Sequence, residues 1–465
     1  MTGVRDVSVI VPVFNPGEYL QPLLDCLDRQ SIGADRFEAI FVDDGSTDGT
    51  GERLDTWAAT RPHVTVVHQE NHGWPGQPRN VAIDRAVGDY VQFVDQDDWL
   101  ADDALERLVG FAREHASDVI ISKMVGIDRG VPSLLFRRSA PRVTFGDEPV
   151  QDSMTPHKMF RRAFLDGIGL RFPEGRRRLE DHLFVTTAYL RADVISVYAE
   201  SDCYFHIGRP DRGNAGFRAY DPEGYYANLE EVIDVVEALA PSPQVRDVFL
   251  GRWLRVELIG RMRSNGVYGL PPAERATHYR PVRRIVRERV PLATLQSTPV
   301  LARWGAAVVR HADDAAFFAL EAARRKVTAH AWRDGDLLRV RIDTGTGRTA
   351  HDLGDFLREH APALADVVLE ETGANPALLP VRVTDGDGHT ATAGPDGGYL
   401  VTGGFAAGAT LRVSTPLRML NTVVSRSRAS TWTTSPVVRK ARRFLGRAWR
   451  RTRRVLSRVL PSRRA

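Results

Sequence analysis

Cysteine is nearly absent: Cys26 and Cys203 are the only two among 465 residues. Two are too few for a disulfide framework or a four-cysteine zinc site. Long apolar runs are missing as well. Stretches such as VSVIVPVF fall far short of the roughly 20 residues needed to cross a bilayer, so no spanning helix is expected. The opening MTGVRDVSVIVPVFN has no basic start followed by a long apolar core, which excludes a secretory signal and makes a cytoplasmic location the expectation. There is no Walker-type phosphate loop and no His-Glu-x-x-His zinc motif, and VDDGSTDGT is not a dinucleotide fingerprint. What remains is ordinary globular material, 43% hydrophobic and 26% charged, which excludes wholesale disorder. At roughly 150 residues per domain, the length allows about three domains.

Acidic residues vanish from the end of the chain. Arg439 to Ala465 holds eleven arginines, one lysine and no Asp or Glu. That is a local +12 against +4 for the whole chain, so the preceding 438 residues carry −8. Such asymmetry bears on partners rather than on the core. Phe444, Leu445, Ala448, Trp449, Val455, Leu456, Val459 and Leu460 recur at three- and four-residue steps, with arginines opposite. The pattern suits an amphipathic helix lying in an anionic membrane surface, where each basic residue contributes about 1 kcal/mol. Nucleic acid explains the charge but not the apolar stripe; contact with the acidic body or an anionic polymer is the third option. The expectation is peripheral attachment at the inner face of the membrane, with no nucleic-acid partner.

The first hundred residues alternate between two periodicities. VSVIVPV (Val7 to Val13), FEAIFVDD (Phe37 to Asp44), VTVVH (Val64 to His68) and YVQFV (Tyr90 to Val94) predict strands. Glu18 to Gln30 and Arg79 to Ala86 predict helices, followed by a helix over Asp102 to His115 and a strand over Asp118 to Ser122. Alternation of this kind implies right-handed βαβ units and a mostly parallel sheet, whose ligands bind beyond the carboxyl ends of the strands. The expected fold class is α/β, with a Rossmann-like domain over residues 1–220 and a helical linker over 221–325. A small β-sandwich-like module follows over 326–418, marked by alternating runs about Asp-Gly turns, with HDLGDFLREHAP as a helical insertion. Residues 419–437 are expected as a polar linker and 438–465 as the tail.

Acidic residues gather at separate strand ends: Asp43 and Asp44; Asp95, Asp97 and Asp98; and Glu180 with Asp181 in RRRLEDHLF. An Asp-x-Asp at a strand end suits a hard divalent cation that leaves positions for phosphate and water. Taken singly, such acids are more often solvated or helix caps, and Asp98 fits a cap before the following helix. The joint pattern is more specific. VSVIVPVFN, VDDGSTDGT, ENHGWPGQPRN and GDYVQFVDQDDWL, in this order and spacing, resemble the family 2 glycosyltransferases of GT-A fold, over about residues 5 to 210.

The resemblance implies UDP-sugar-dependent hexosyl transfer with inversion, assisted by Mn2+ or Mg2+. It implies a nucleotide cradle at Pro12 to Asn15 with Phe14 against the base, and Asp44 at the uracil edge. Asn71 and Arg79 would face nucleotide and diphosphate. Asp95 would contact ribose or metal, Asp97 would be the principal metal ligand, and His206 a late metal or diphosphate contact, or a satisfied structural histidine. Asp181 would be the general base, with Glu180 positioning the acceptor or sharing its charge. The Pro-Arg-Asn ending of the Gly-rich loop and LEDHLF further resemble bacterial wall teichoic acid glycosyltransferases. Those imply N-acetylglucosamine from UDP-GlcNAc as the transferred sugar and a polyol-phosphate acceptor; the alternatives are a transferase for an exopolysaccharide or lipid-linked saccharide, or a catalytically silent carbohydrate-binding protein. They also imply a trimer assembled through C-terminal parts, although one β-module is visible here. Arg176, Arg177 and Arg178, just before the proposed base, fit an anionic acceptor.

Overall fold

A computed structural model of the chain describes residues 5–211, 220–334, 337–343 and 353–372, and strands at 382–384, 392–393, 399–400, 410–414 and 419–425. Two compact units are present: residues 1–325 with 352–379, and residues 326–351 with 380–465.

The first unit opens with β1 (Val7–Val13), a seven-residue strand buried along its whole length. After it come α1 (Gln21–Asp28), β2 (Phe37–Asp43), α2 (Thr50–Ala58), β3 (Val64–His68), α3 (Gly76–Ile83) and β4 (Tyr90–Phe93). Short β5 (Trp99–Leu100) precedes α4 (Ala104–Glu114), β6 (Val119–Ser122), β7 (Met124–Ile127), β8 (Met159–Arg161) and α5 (Arg162–Gly167). The α/β part of this unit closes with α6 (Glu180–Arg191), β9 (Ile195–Tyr198) and β10 (Tyr204–Ile207). The main sheet runs β3-β2-β1-β4-β8-β6-β9. All its pairings are parallel except the two made by β8, which lies antiparallel to β4 and β6. A second sheet, β5-β10-β7, stands at the end where β4 terminates.

The β-branched residues of β1 have no solvent face to satisfy, because helices cover the parallel sheet on both sides. Val7, Val9, Ile10 and Val11 are wholly buried, each contributing about 1.5–3 kcal/mol. The acidic clusters at 43–44 and 95–98 sit where this core ends, at or just past the ends of β2 and β4.

The helical segment begins with α7 (Pro222–Leu239), capped by Asp221, whose Oδ2 accepts from Gly224 N at 2.7 Å. A run from Pro243 to Arg263 follows, interrupted by a π-turn over Leu254–Leu258. Helices Pro272–Glu288, Val300–His311 and Asp314–Lys326 complete it. The expected helical insertion HDLGDFLREHAP contains the helix Leu353–His360, and a second helix, Pro362–Thr372, begins at its last residue. They belong to the first unit rather than to the β-rich one. Phe356 packs against Trp304, and Arg303 donates to the Thr372 carbonyl at 3.1 Å.

In the second unit, strands Thr328–Asp334 and Leu337–Asp343 pair antiparallel, and the turn expected between them lies outside the described residues. Met419–Ser425, expected as linker, is a strand: it pairs antiparallel with Thr410–Ser414 and parallel with Thr328–Asp334. Its Thr-Val-Val core favours a pleated ladder over a loop. The basic tail lies outside the described residues. Among those residues no helix is long and apolar enough to cross a membrane.

Candidate active site

A cavity of about 320 Å³ opens where β1, β2 and β4 end, and it is closed on the far side by the start of α6 and by α7. Its floor is pinned by a reciprocal pair: Phe14 N donates to Gln96 Oε1 at 2.7 Å, and Gln96 Nε2 donates to the Phe14 carbonyl at 3.1 Å. Pro12, Phe14 and Asp44 form one end of the lining. Asp44 is 4% exposed and accepts from Gln69 Nε2 at 2.7 Å, His72 N at 3.0 Å and Gly73 N at 3.3 Å. The loop after β3 thus wraps this carboxylate. Asn71 stays exposed outside the cavity and donates to the Asp44 carbonyl at 2.8 Å.

Arg79 connects the two acidic clusters. It is 3% exposed, its Nη2 lies 2.8 Å from Asp95 Oδ1, and its Nη1 lies 3.7 Å from Glu180 Oε1. Its Nε and Nη1 are buried without a hydrogen-bond partner. Buried donors of this kind are costly to leave unmet. α3 can present Arg79 here because Asn80 exchanges two 2.8 Å hydrogen bonds with the Phe172 backbone. Gly76 also lies so close that an added Cβ would meet the Pro173 carbonyl at 2.5 Å.

At the end of β4, Asp95, Asp97 and Asp98 diverge. Burial opposes the charge of Asp95, but His157 and Arg79 hold its carboxyl well below the usual range. Burial, with Asp98 and Asp95 adding repulsion, pushes Asp97 up to about 7. Asp98 is not a helix cap, since α4 starts at Ala104 and Asp98 is 1% exposed. It accepts from Tyr204 Oη at 2.7 Å, His206 Nδ1 at 3.0 Å and Ile207 N at 2.8 Å. A carboxylate on one imidazole nitrogen orients the other for a ligand.

His157 was not singled out from the sequence. Its Nε2 lies 2.9 Å from Asp95 Oδ2, yet neither ring nitrogen makes an aligned hydrogen bond. Among the described residues, Asp98, His157 and His206 are the one group of three with ligating atoms all within 4.8 Å. Carboxylates that repel one another, beside an imidazole whose nitrogens are unmet, fit a divalent cation. Behind them Lys158, fully buried, donates to Ser153 Oγ at 3.1 Å and to the Thr155 carbonyl, fastening the loop that carries His157.

On the far wall, Leu179 takes the left-handed conformation, φ +62°. For a bulky residue this is uncommon and costs free energy. It turns the chain so that Glu180 and Asp181 open α6 facing the cavity. Burial raises the Glu180 carboxyl, opposed by Arg79. Burial also pushes Asp181 up to about 6, with Glu180 adding to the rise and His182 opposing it. Arg178 lines the cavity between Trp74 and Tyr220, whose rings lie 5.4 and 5.8 Å from its guanidinium. Arg177 instead pairs with Glu231 at 2.6 Å, and Arg176 is exposed. Tyr225, Glu257 and Arg261, from the helical segment, complete the lining.

A buried base candidate, a guanidinium with unmet donors and a carboxylate cluster fit group transfer from an anionic donor. Residues 8–172 match the glycosyl transferase family 2 model. Residues 222–321 match the glycosyl transferase TarS linker domain. The chain is 35% identical over 252 residues to the poly(ribitol-phosphate) beta-glucosyltransferase of Bacillus spizizenii, covering 53% of this chain and 40% of that one. It is 36% identical over 251 residues to the poly(ribitol-phosphate) beta-N-acetylglucosaminyltransferase TarS of Staphylococcus aureus, covering 53% and 44%. The alignments thus span less than half the length of these curated relatives. The crystal structure of S. aureus TarS 1–349 in complex with UDP-GlcNAc superposes with a TM-score of 0.63 at 28% identity, over 74% of this chain and 98% of that one.

Proposed function

We propose that this protein is an inverting, metal-dependent glycosyltransferase that moves a sugar, N-acetylglucosamine from UDP-GlcNAc, onto a poly(ribitol phosphate) or similar anionic cell-envelope polymer. The observation that carries the reading is Arg79. Arg79 lines a cavity with Asp44 and Phe14 at one end and Asp181 at the other, and its Nε and Nη1 are buried without a partner. A planar guanidinium in that position suits a diphosphate, and the relatives named above support UDP-sugar and polyol phosphate as the substrates.

In this reading the uracil edge meets Asp44 and its flat face meets Phe14, while Arg79 grips the diphosphate. Asp97, Asp95 and His206, with Asp98 and His157 beside them, would hold Mn2+ or Mg2+, which when bound would neutralise charge on the departing diphosphate. Asp181 takes the proton of the acceptor hydroxyl as that oxygen bonds the anomeric carbon and the bond to UDP breaks on the opposite face, inverting the configuration. Glu180 orients the acceptor, and Arg178 offers positive charge to its phosphate. The basic tail is assigned to an anionic membrane surface. Deleting Arg439 to Ala465 is expected to release the protein from anionic vesicles and spare transfer to a soluble acceptor.

Calorimetric titration with UDP, CDP, GDP and dTDP sugars, with and without manganese, tests the donor. Metal-dependent binding of UDP-GlcNAc is expected. Preference for UDP-glucose would change the sugar, and binding of none by folded protein would leave a silent carbohydrate-binding protein.

A further inference from the structure

Glu257 belongs to no sequence motif, yet it is 4% exposed and lines the active-site cavity. Its partners are set by the π-turn over Leu254–Leu258. In an α-helix, residues five apart point to different faces; a π-turn, with i to i+5 hydrogen bonds, brings them together. Arg252, five residues before Glu257, accordingly places Nη1 2.6 Å from Glu257 Oε1. Arg261, four residues after it at ordinary helical spacing, places Nε 2.9 Å from Oε2. Tyr225 Oη donates to the same oxygen at 2.5 Å.

The two arginines serve different spaces. Arg261 lines the active-site cavity, and Arg252 lines a second cavity of about 430 Å³ walled by residues 130–135 and 152–155. Thr155 lines both. The Arg252 side chain is 10% exposed, and its Nε is buried with no hydrogen-bond partner. Within this trio one carboxylate faces two guanidinium groups, a surplus of one positive charge beside the self-paired Arg255 and Asp152, and at least one donor is unmet. Buried charge of that kind calls for an anion.

We propose that Glu257 is a positioning residue for the acceptor. It fixes Arg252 and Arg261 as a spaced pair, one per cavity, so that a chain with successive anionic groups engages both while one hydroxyl sits at Asp181. This rests on the anionic-polymer reading above. Removing the Glu257 charge has two opposing effects. It makes the site more positive, which alone tightens every anionic acceptor alike, and it frees the pair, which harms only acceptors long enough to reach both arginines.

The test compares kcat/KM for synthetic ribitol phosphate acceptors carrying one phosphate and carrying four. In Glu257→Gln the preference for the longer acceptor is expected to collapse about tenfold, the scale of one charge-assisted hydrogen bond, with UDP-GlcNAc affinity unchanged. Arg252→Lys, which keeps charge but loses the planar fork, should show the same collapse and serves if Glu257→Gln does not fold. An unchanged length preference, or equal losses for donor and every acceptor, overturns the proposal. Wild-type silence on all these acceptors overturns the polymer reading instead. The pair is then read by tripolyphosphate against orthophosphate binding in saturating UDP, where a ratio unchanged in Glu257→Gln refutes Glu257.

Discussion

At the scale of single residues, the two ends of the cavity are tuned differently. Asp95 is kept ionised by His157 and Arg79, whereas Asp181 is lifted to about 6 by burial. A general base works only when unprotonated, so transfer should fall about tenfold per pH unit below about 6 and level off above it. A pH–rate profile with saturating substrates checks this. Asp181→Asn should abolish that limb and lower turnover by about two orders of magnitude or more, with UDP-sugar binding retained by calorimetry. Arg79→Lys keeps a charge but not the fork, and donor affinity should drop about tenfold or more while Tm stays near wild type. The residues at the strand ends were legible because strand periodicity and acidic spacing point to them together. Gln96, His157 and Trp74 were not, since nothing in their local sequence separates them from packing residues. Asp98 fits a helix cap by sequence alone, which cannot tell that a two-residue strand intervenes and that Tyr204 and His206 converge on it.

At the scale of elements, α3 carries Arg79 and is held against residues 172–173 by Asn80 and by the closeness at Gly76. Gly76→Ala forces a shift against backbone, which should cost about 1–3 kcal/mol and weaken UDP-sugar binding more than it changes kcat. Denaturant unfolding and calorimetry on one preparation separate the two effects. The βαβ alternation was readable because buried parallel strands are long β-branched runs. The antiparallel β8 was not, because three residues hold too little periodicity to declare a strand. The π-turn escaped for a related reason: one added residue barely alters the apolar spacing of the run from Pro243 to Arg263.

At the scale of the whole molecule, the boundary between the two units is crossed more than once. Sequence composition put one edge near residue 325, yet residues 352–379 rejoin the first unit. Phe356 and Leu357 are wholly buried there, and Trp304 with them. A chain cut after Arg325 should therefore unfold several degrees below the intact protein, and scanning calorimetry of the two chains decides it.

That return also sets an order of events during synthesis. Domains fold as units, beginning from the amino terminus, while the ribosome adds about 5–20 residues per second. The sheet that carries the strand-end acids is complete by Tyr198. The helices that build the rest of the cavity wall cannot close their own core until Leu353–Thr372 has emerged. The Thr328–Ser425 strands are split by that return, so their hairpin must wait, half a sheet, while its neighbour finishes. For a growing chain, the order of assembly is strand-end acids first, helical wall second, and β-rich sheet last.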